Sequence, residues 1–140
     1  MNEVRALVAD GRLREAAAVL GRPFEVEGVV VEGDRRGKLL GFPTANLDTD
    51  PDEILLPRGI YVGEALGHRA AISIGVNPHY GGATLRVEAH LLEFDGDLYG
   101  QRLTVELWER LRDERAFGSE AELVDAIAAD VEAARRAVRP

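Results

Sequence analysis

Two oxygen-bearing side chains stand two residues apart in a short, conformationally restricted segment. Thr44 and Asn46 follow Gly41, Phe42 and Pro43, and proline fixes its own φ while biasing the residue before it toward extended geometry. If the backbone stays extended, the hydroxyl and the amide point to the same side. Such oxygens are ligands that Mg²⁺ takes when phosphates and waters complete its coordination. The pair therefore suggests a site for a metal-bound polyphosphate.

A segment rich in glycine and cations, residues 33–38, precedes this pair. Gly33 and its neighbours let a backbone approach phosphates closely, and Lys38 can add a point charge. The segment is not a Walker loop, because the G-x-x-x-x-G-K-[ST] pattern occurs nowhere in the chain. For residues 41–44, Gly-Phe-Pro-Thr, the alternative interpretation is an ordinary turn that leads into a strand, since glycine with proline marks turns more often than sites.

Residues 85–92 alternate in the manner of a half-buried strand. Leu85, Val87, Ala89 and Leu91 share one face, and Arg86, Glu88, His90 and Leu92 share the other. From the strand alone, Glu88 is expected to pair with Arg86 or with a cation across the sheet.

An aromatic residue and two cations lie close together ahead of the last helical segment. Arg112, Arg115 and Phe117 could stack on a planar ring and hydrogen-bond its carbonyl edges. The alternative is that Phe117 acts as a hydrophobic staple before Ser119 and packs toward Leu123. Both interpretations can hold together.

The elements between these candidates are predicted to be strands. From residue 24 to residue 108, short alternating or β-branched runs are separated by Gly, Pro and Asp clusters. No helical pattern interrupts them, which favours an antiparallel barrel over a parallel α/β sheet.

Helical segments flank the strands on both sides. Residues 3–20 show helical spacing with a weak point at Asp10 and Gly11, and residues 120–137 follow a capping box of Ser119 and Glu122. A stripe of Leu123, Ile127 and Val131 is expected to lie on the barrel. The predicted organisation is a helical linker at 1–22 and a barrel domain with its C-terminal helix at 23–140.

Composition narrows the function classes. A length of 140 residues with 46% hydrophobic content predicts one folded domain, and the longest uncharged apolar runs are too short to span a membrane. The net charge of −8 argues against nucleic-acid binding. The absence of cysteine excludes disulfides and thiolate sites, and it fits a cytoplasmic location.

Six blocks of sequence, in the same order, resemble the riboflavin kinase family. They are residues 41–46, 59–61, 73–78, 87–92, 94–100 and 111–117. The resemblance covers about residues 21–138. In bacteria this family forms the C-terminal half of a bifunctional FAD synthetase, and elsewhere it is a standalone kinase. Two minor departures are a short connection at 63–68 and Asp113, which stands where proline is frequent.

The resemblance implies a mainly β fold, a small six-stranded antiparallel Greek-key barrel, and a definite reaction. The γ-phosphate of ATP would pass to the ribityl 5′-hydroxyl of riboflavin, giving FMN and ADP, with Mg²⁺ bridging the phosphates. Glu88 matches the catalytic base, and Thr44 and Asn46 match the metal ligands.

The remaining implied contacts divide between nucleotide and flavin. The nucleotide would be held by Gly33, Lys38, Gly41, Phe42, Pro43, Thr44 and Asn46, with Leu91, Glu93 and Tyr99 at its base. The flavin would be held by Arg112, Arg115 and Phe117. For Tyr99 the alternative is a core tyrosine in a hairpin around residues 95–97.

Two other functions compete with the kinase. One is a non-catalytic flavin- or nucleotide-binding barrel that acts as a sensor or interaction module, and the other is a structural accessory domain. The joint presence of Thr44, Asn46 and Glu88 favours the enzyme. The family's adenylyltransferase half is absent from these residues, and the sequence leaves open whether the chain is a fragment.

Overall fold

The computed structural model describes residues 2–31, 44–49, 56–76, 85–94, 96–113 and 118–140. Three helices and six strands lie within these ranges. In chain order they are α1 (Asn2–Ala9), α2 (Leu13–Leu20), β1 (Phe24–Val31), β2 (Ala45–Asp48), β3 (Gly59–Ala65), β4 (His68–Val76), β5 (Leu85–Leu91), β6 (Arg102–Arg112) and α3 (Glu120–Arg136).

The strands close into the predicted barrel. Their order around it is β1-β2-β5-β4-β3-β6, with β6 returning to β1, and every neighbouring pair is antiparallel. The consecutive strands β3, β4 and β5 form a meander, and β6 returns to lie beside β3, which is the Greek-key order. The predicted fold class is therefore confirmed.

The N-terminal segment is a helical hairpin rather than one helix. The first helix ends at Ala9. In the turn that follows, Gly11 has a φ of +76° and the N–H of Arg12 donates to the Leu7 carbonyl at 2.9 Å. Apolar side chains from both helices (Val4, Val8, Leu13 and Ala16) join the same core cluster as the barrel interior. The weak point at Asp10 and Gly11 is thus a true helix end, and the division at residue 22 stays a prediction about chain organisation.

Alternation along β5 follows the prediction. Val87 and Ala89 are fully buried and Leu91 is 6% exposed, while Arg86, Glu88 and His90 are partly exposed. The inward side chains pack in the barrel core, and the outward ones lie on the outer surface of the barrel.

Helix α3 packs across the outer face of β3 and β4. The hydroxyl of Ser119 accepts from the N–H of Glu122 at 3.2 Å, while the Glu122 carboxylate accepts from the N–H of Gly118 at 3.0 Å. The start of the helix is therefore confirmed. In a standard capping box the Glu122 carboxylate would accept from the N–H of Ser119, whereas here it accepts from the N–H of Gly118.

The buried line of α3 differs from the predicted stripe. Leu123, Ile127 and Val131 are only partly buried, and the buried line consists of Ala126, Asp130 and Ala134. Of the predicted stripe, Val131 packs against the buried cluster of Val62, Leu92 and Ala134 between the helix and the sheet. Among the described residues, no helix is long and apolar enough to cross a membrane.

Candidate active site

Three polar residues lie in one row across neighbouring strands. Asn46 on β2 pairs in register with Glu88 on β5, and Glu88 pairs in register with Ser73 on β4. Directly paired residues share a face, with Cβ atoms roughly 4.5–5.5 Å apart. All three are partly exposed on the outside of the barrel. The fold thus brings Asn46 and Glu88 together from segments that are 42 positions apart in the sequence.

Thr44 lies immediately before β2. It is partly exposed, as is Asn46, whereas Ala45 and Leu47 are buried at 9% and 4% exposure. This is the alternation that the extended backbone predicts. The hydroxyl and the amide are therefore on the side of the barrel that also carries Glu88.

Glu88 forms an ion pair within its own strand. The Nε of Arg86 lies 3.3 Å from Oε1 of Glu88, and the two side chains are 26% and 18% exposed. The pairing expected from the strand alone is thus present. The same carboxylate lies on the outward face of β5, in register with Asn46. The ion pair and a role as base are therefore compatible.

The donor set around Asn46 suits a metal that brings its own ligands. No group of three or more His, Cys, Asp or Glu side chains able to hold a metal occurs in the described part of the chain. Thr44 and Asn46 offer neutral oxygens, and Glu88 is the carboxylate in register with Asn46. Mg²⁺ keeps several waters and commonly takes phosphate oxygens, so these residues fit Mg²⁺ carried in by a nucleotide.

The predicted contacts to the nucleotide base are spread over two regions. Tyr99 is 61% exposed, so its interpretation as a core tyrosine is wrong. Its neighbour Gly100 donates to the carbonyl of Val30 at 2.8 Å, which holds Tyr99 near the end of β1. There, Val31 is the register partner of Asn46.

Leu91 and Glu93 lie further along β5 and its following turn. Leu91 packs in the barrel core. Glu93 is exposed, and its carboxylate pairs with Arg135 of α3 at 2.7 Å. Their contact with a nucleotide stays a prediction.

Arg112 ends β6 and is held by α3. Its Nε and Nη2 donate to the two carboxylate oxygens of Asp130 at 3.1 and 2.8 Å, and its Nη1 donates to the Asp113 carbonyl at 3.1 Å. The other predicted contacts lie outside the described residues. They are Gly33, Lys38, Gly41, Phe42, Pro43, Arg115 and Phe117.

Sequence reasoning assigned no role to Ser73 or Asp130. Only the register places Ser73 beside Glu88, and nothing in the local sequence signals that pairing. For Asp130 a signal exists, because it is a charged residue spaced four from Ala126 and four from Ala134 on what becomes the buried line of α3.

The clearest pKa changes lie away from this row. Burial raises the pKa of Tyr61, whose side chain is in the barrel core. Hydrogen bonds from Arg139 lower the pKa of Glu106. Both groups are explained by packing and pairing within the fold, so neither indicates a second reactive centre.

Comparison with known proteins identifies the family. Residues 20–138 match the family model described as Flavokinase, riboflavin kinase. The chain belongs to the riboflavin kinase family. This membership confirms the resemblance found in the sequence and the expectation of a riboflavin kinase domain.

Individual proteins similar to this riboflavin kinase family domain are themselves named as riboflavin kinases. The bifunctional riboflavin kinase/FMN adenylyltransferase of Escherichia coli K12 is 38% identical over 137 residues, which cover 94% of this chain and 44% of that protein. The chain therefore spans less than half of the length of this curated relative. The crystal structure of riboflavin kinase from Trypanosoma brucei matches with a TM-score of 0.63 and 32% identity, over 81% of this chain and 78% of that one.

A third similar structure carries a different description. A crystal structure of a macrolide-efflux protein from Streptococcus pneumoniae matches with a TM-score of 0.87 and 36% identity, covering 98% of this chain and 46% of that one. Its similarity supports the fold and the kinship of the two chains. The kinase assignment is based on the family model and the relatives named as riboflavin kinases.

Proposed function

We propose that this chain transfers the γ-phosphate of ATP to the ribityl 5′-hydroxyl of riboflavin, giving FMN and ADP. The observation that carries this proposal is the register of Asn46 with Glu88. A carboxylate that can act as base, next to an amide oxygen that can bind the metal of a metal–phosphate complex, supports phosphoryl transfer to an alcohol.

In the proposed reaction, Glu88 accepts the proton of the 5′-hydroxyl while that oxygen attacks the γ-phosphorus. The new bond joins the ribityl oxygen to phosphorus, and the bond from the γ-phosphorus to the bridging oxygen breaks. ADP leaves with the electron pair.

We assign Thr44 and Asn46 as protein ligands of Mg²⁺ that arrives with ATP. The bound ion would neutralise charge on the phosphates as the γ-phosphoryl group is transferred. The acidity of the chain supports this assignment, because a net charge of −8 repels a polyphosphate unless cations offset it locally.

On the nucleotide side, we propose that Tyr99 contacts the base. Its exposed ring is near the end of β1, where Val31 pairs with Asn46. The proposed phosphate contacts of Gly33, Lys38, Gly41, Phe42 and Pro43 lie outside the described residues, as do the flavin contacts of Arg115 and Phe117. Among the described residues, Arg112 is the proposed flavin contact.

We place this reaction in the cytoplasm, without a nucleic-acid or membrane partner. The relatives that are named as FMN adenylyltransferases as well as kinases suggest a consumer for the product. We propose that FMN made here passes to an adenylyltransferase activity, on the same polypeptide in its full length or on a separate one.

The proposal is tested by incubating the 140-residue chain with riboflavin, ATP and Mg²⁺. ADP release is followed in a coupled assay, and the flavins are separated by chromatography. We expect ADP and FMN in equal amounts and no FAD. Flavin binding without ADP release would instead identify a non-catalytic binding module, and neither binding nor turnover would leave a structural barrel.

A further inference from the structure

Asp130 is the one charged side chain that is buried among the residues that the structure describes, with 7% exposure. It lies on the face of α3 that packs against the barrel, between Ala126 and Ala134. A buried carboxylate costs free energy unless it is paired and hydrogen-bonded. In the part of the chain that the structure describes, Asp130 meets this requirement through Arg112, whose Nε and Nη2 donate to it at 3.1 and 2.8 Å.

The pairing fixes the orientation of a guanidinium. Two parallel hydrogen bonds from Nε and Nη2 to one carboxylate hold the plane of the Arg112 side chain, and Nη1 is directed by the Asp113 carbonyl at 3.1 Å. The Arg112 side chain is 26% exposed, so one part faces the helix and another reaches the surface. The helix therefore determines how this arginine is presented.

Stability by itself is a weak reason for this arrangement. A buried ion pair can often be replaced by well-packed apolar side chains without loss of stability. The rest of the inner line of α3 is alanine at positions 126 and 134, which shows that the contact with the sheet does not require charge. The carboxylate is present at the position from which it reaches Arg112.

We propose that Asp130 is a positioning residue for the acceptor, which holds Arg112 in the orientation that contacts riboflavin. This inference rests on the proposed function, in which Arg112 contacts the flavin. Asp130 acts through the arginine and does not touch the reacting atoms. It couples helix α3 to acceptor binding, while Asn46 and Glu88 lie on strands β2 and β5.

The test compares Asp130→Asn with Glu109→Gln. Glu109 is also a carboxylate paired with an arginine, since Arg14 donates to it at 3.0 Å, but both side chains are exposed. Riboflavin Kd is measured from the quenching of flavin fluorescence, along with kcat, both KM values and the melting temperature. Loss of one oriented charge-assisted hydrogen bond weakens binding by about tenfold or more.

For D130N we expect riboflavin Kd and KM to rise by about that factor, with kcat and the KM for ATP within roughly threefold. E109Q should match the wild type in all of them. A lower melting temperature with an unchanged riboflavin Kd would mean that Asp130 has only a structural role, and would overturn the inference.

A double-mutant cycle with Arg112→Gln identifies the route of the effect. If Asp130 acts through Arg112, D130N adds little to the loss already caused by R112Q. Additive effects would overturn the inference. If D130N does not fold, the cycle is run with Asp130→Glu and Arg112→Lys, which keep both charges but change the geometry of the pair. An unchanged riboflavin Kd in both variants would also overturn the inference.

Failure of the proposed function would be seen in the wild type. A wild-type chain that neither binds nor phosphorylates riboflavin refutes the kinase assignment. A wild-type chain that is active, with variants that all bind riboflavin normally, refutes only the role of Asp130.

Discussion

Replacement of Glu88 by glutamine separates a catalytic base from an ion-pair partner. The amide keeps the size of the side chain and some of its hydrogen bonding, but it cannot accept the proton of the ribityl hydroxyl. Glu88 is 18% exposed and lies 3.3 Å from Arg86, so the substitution removes one ion pair and leaves the inward face of β5 unchanged.

The two interpretations predict effects of different size. A positioned general base contributes on the order of 10²–10⁴-fold, which is about 2.7–5.4 kcal/mol at ~1.36 kcal/mol per factor of ten. A partly exposed ion pair contributes roughly 0–1 kcal/mol to folding. If Glu88 is the base, turnover therefore falls far more than stability does.

The assay is steady-state ADP release from Glu88→Gln, together with the Kd of each substrate and a urea unfolding curve. We expect kcat to fall by at least about 100-fold, binding to change by only a few-fold, and stability to fall by about 1 kcal/mol or less. Glu27→Gln is the matched control, because Glu27 is an outward carboxylate paired with Arg102 at 2.7 Å. Turnover of E88Q within a few-fold of E27Q would refute the base.

Three further predictions test other parts of the structure. Thr44→Ala should lower kcat/KM for ATP by about tenfold and raise the Mg²⁺ concentration needed for half-maximal rate, because a methyl group cannot replace an oxygen ligand; an unchanged Mg²⁺ titration would leave Thr44 as a turn residue. Leu66→Asn should raise the free energy of unfolding in urea by about 0.5–1 kcal/mol, because Leu66 has a φ of +53° and is 57% exposed; a less stable variant would contradict this strain. The pKa of Glu106 is lowered from its ordinary 4.5, first by the hydrogen bond from Arg139, so its contribution to stability is present above pH 4.5 and is lost as the pH falls through the folded pKa. The stability difference between wild type and Glu106→Gln should therefore shrink in acid, and an equal difference at pH 7 and pH 3 would contradict it.

Local periodicity predicted which way side chains point, but not which strands pair. The inward and outward faces of β5 follow from alternation over a few residues, because Val87 and Ala89 are apolar and Arg86 and Glu88 are charged. The pairing of Asn46 with Glu88 joins β2 to β5, which are neighbours in the barrel although β3 and β4 lie between them in the chain. Register of this kind depends on the closure of the whole barrel, which no window of sequence contains.

The most buried line of α3 was not predicted, because the rule favours large apolar side chains. Leu123, Ile127 and Val131 form the obvious stripe, yet the buried line has Asp130 between two alanines. A helix that packs closely on a sheet needs small side chains at the contact. An aspartate becomes acceptable there only because Arg112, distant in sequence, supplies both hydrogen bonds.

The strand register and the buried line of α3, which the sequence did not predict, belong to different parts of the candidate site. Asn46 and Glu88 are fixed by backbone hydrogen bonds between β2 and β5, so their relative position changes only if the ladder is disrupted. Arg112 is oriented by a side-chain contact with α3, a helix that follows β6 in the chain. The part proposed to perform phosphoryl transfer is thus built into the sheet, and the part proposed to select the acceptor depends on how the helix is docked. A substitution that shifts α3 is therefore expected to weaken riboflavin binding more than it lowers the rate of phosphoryl transfer.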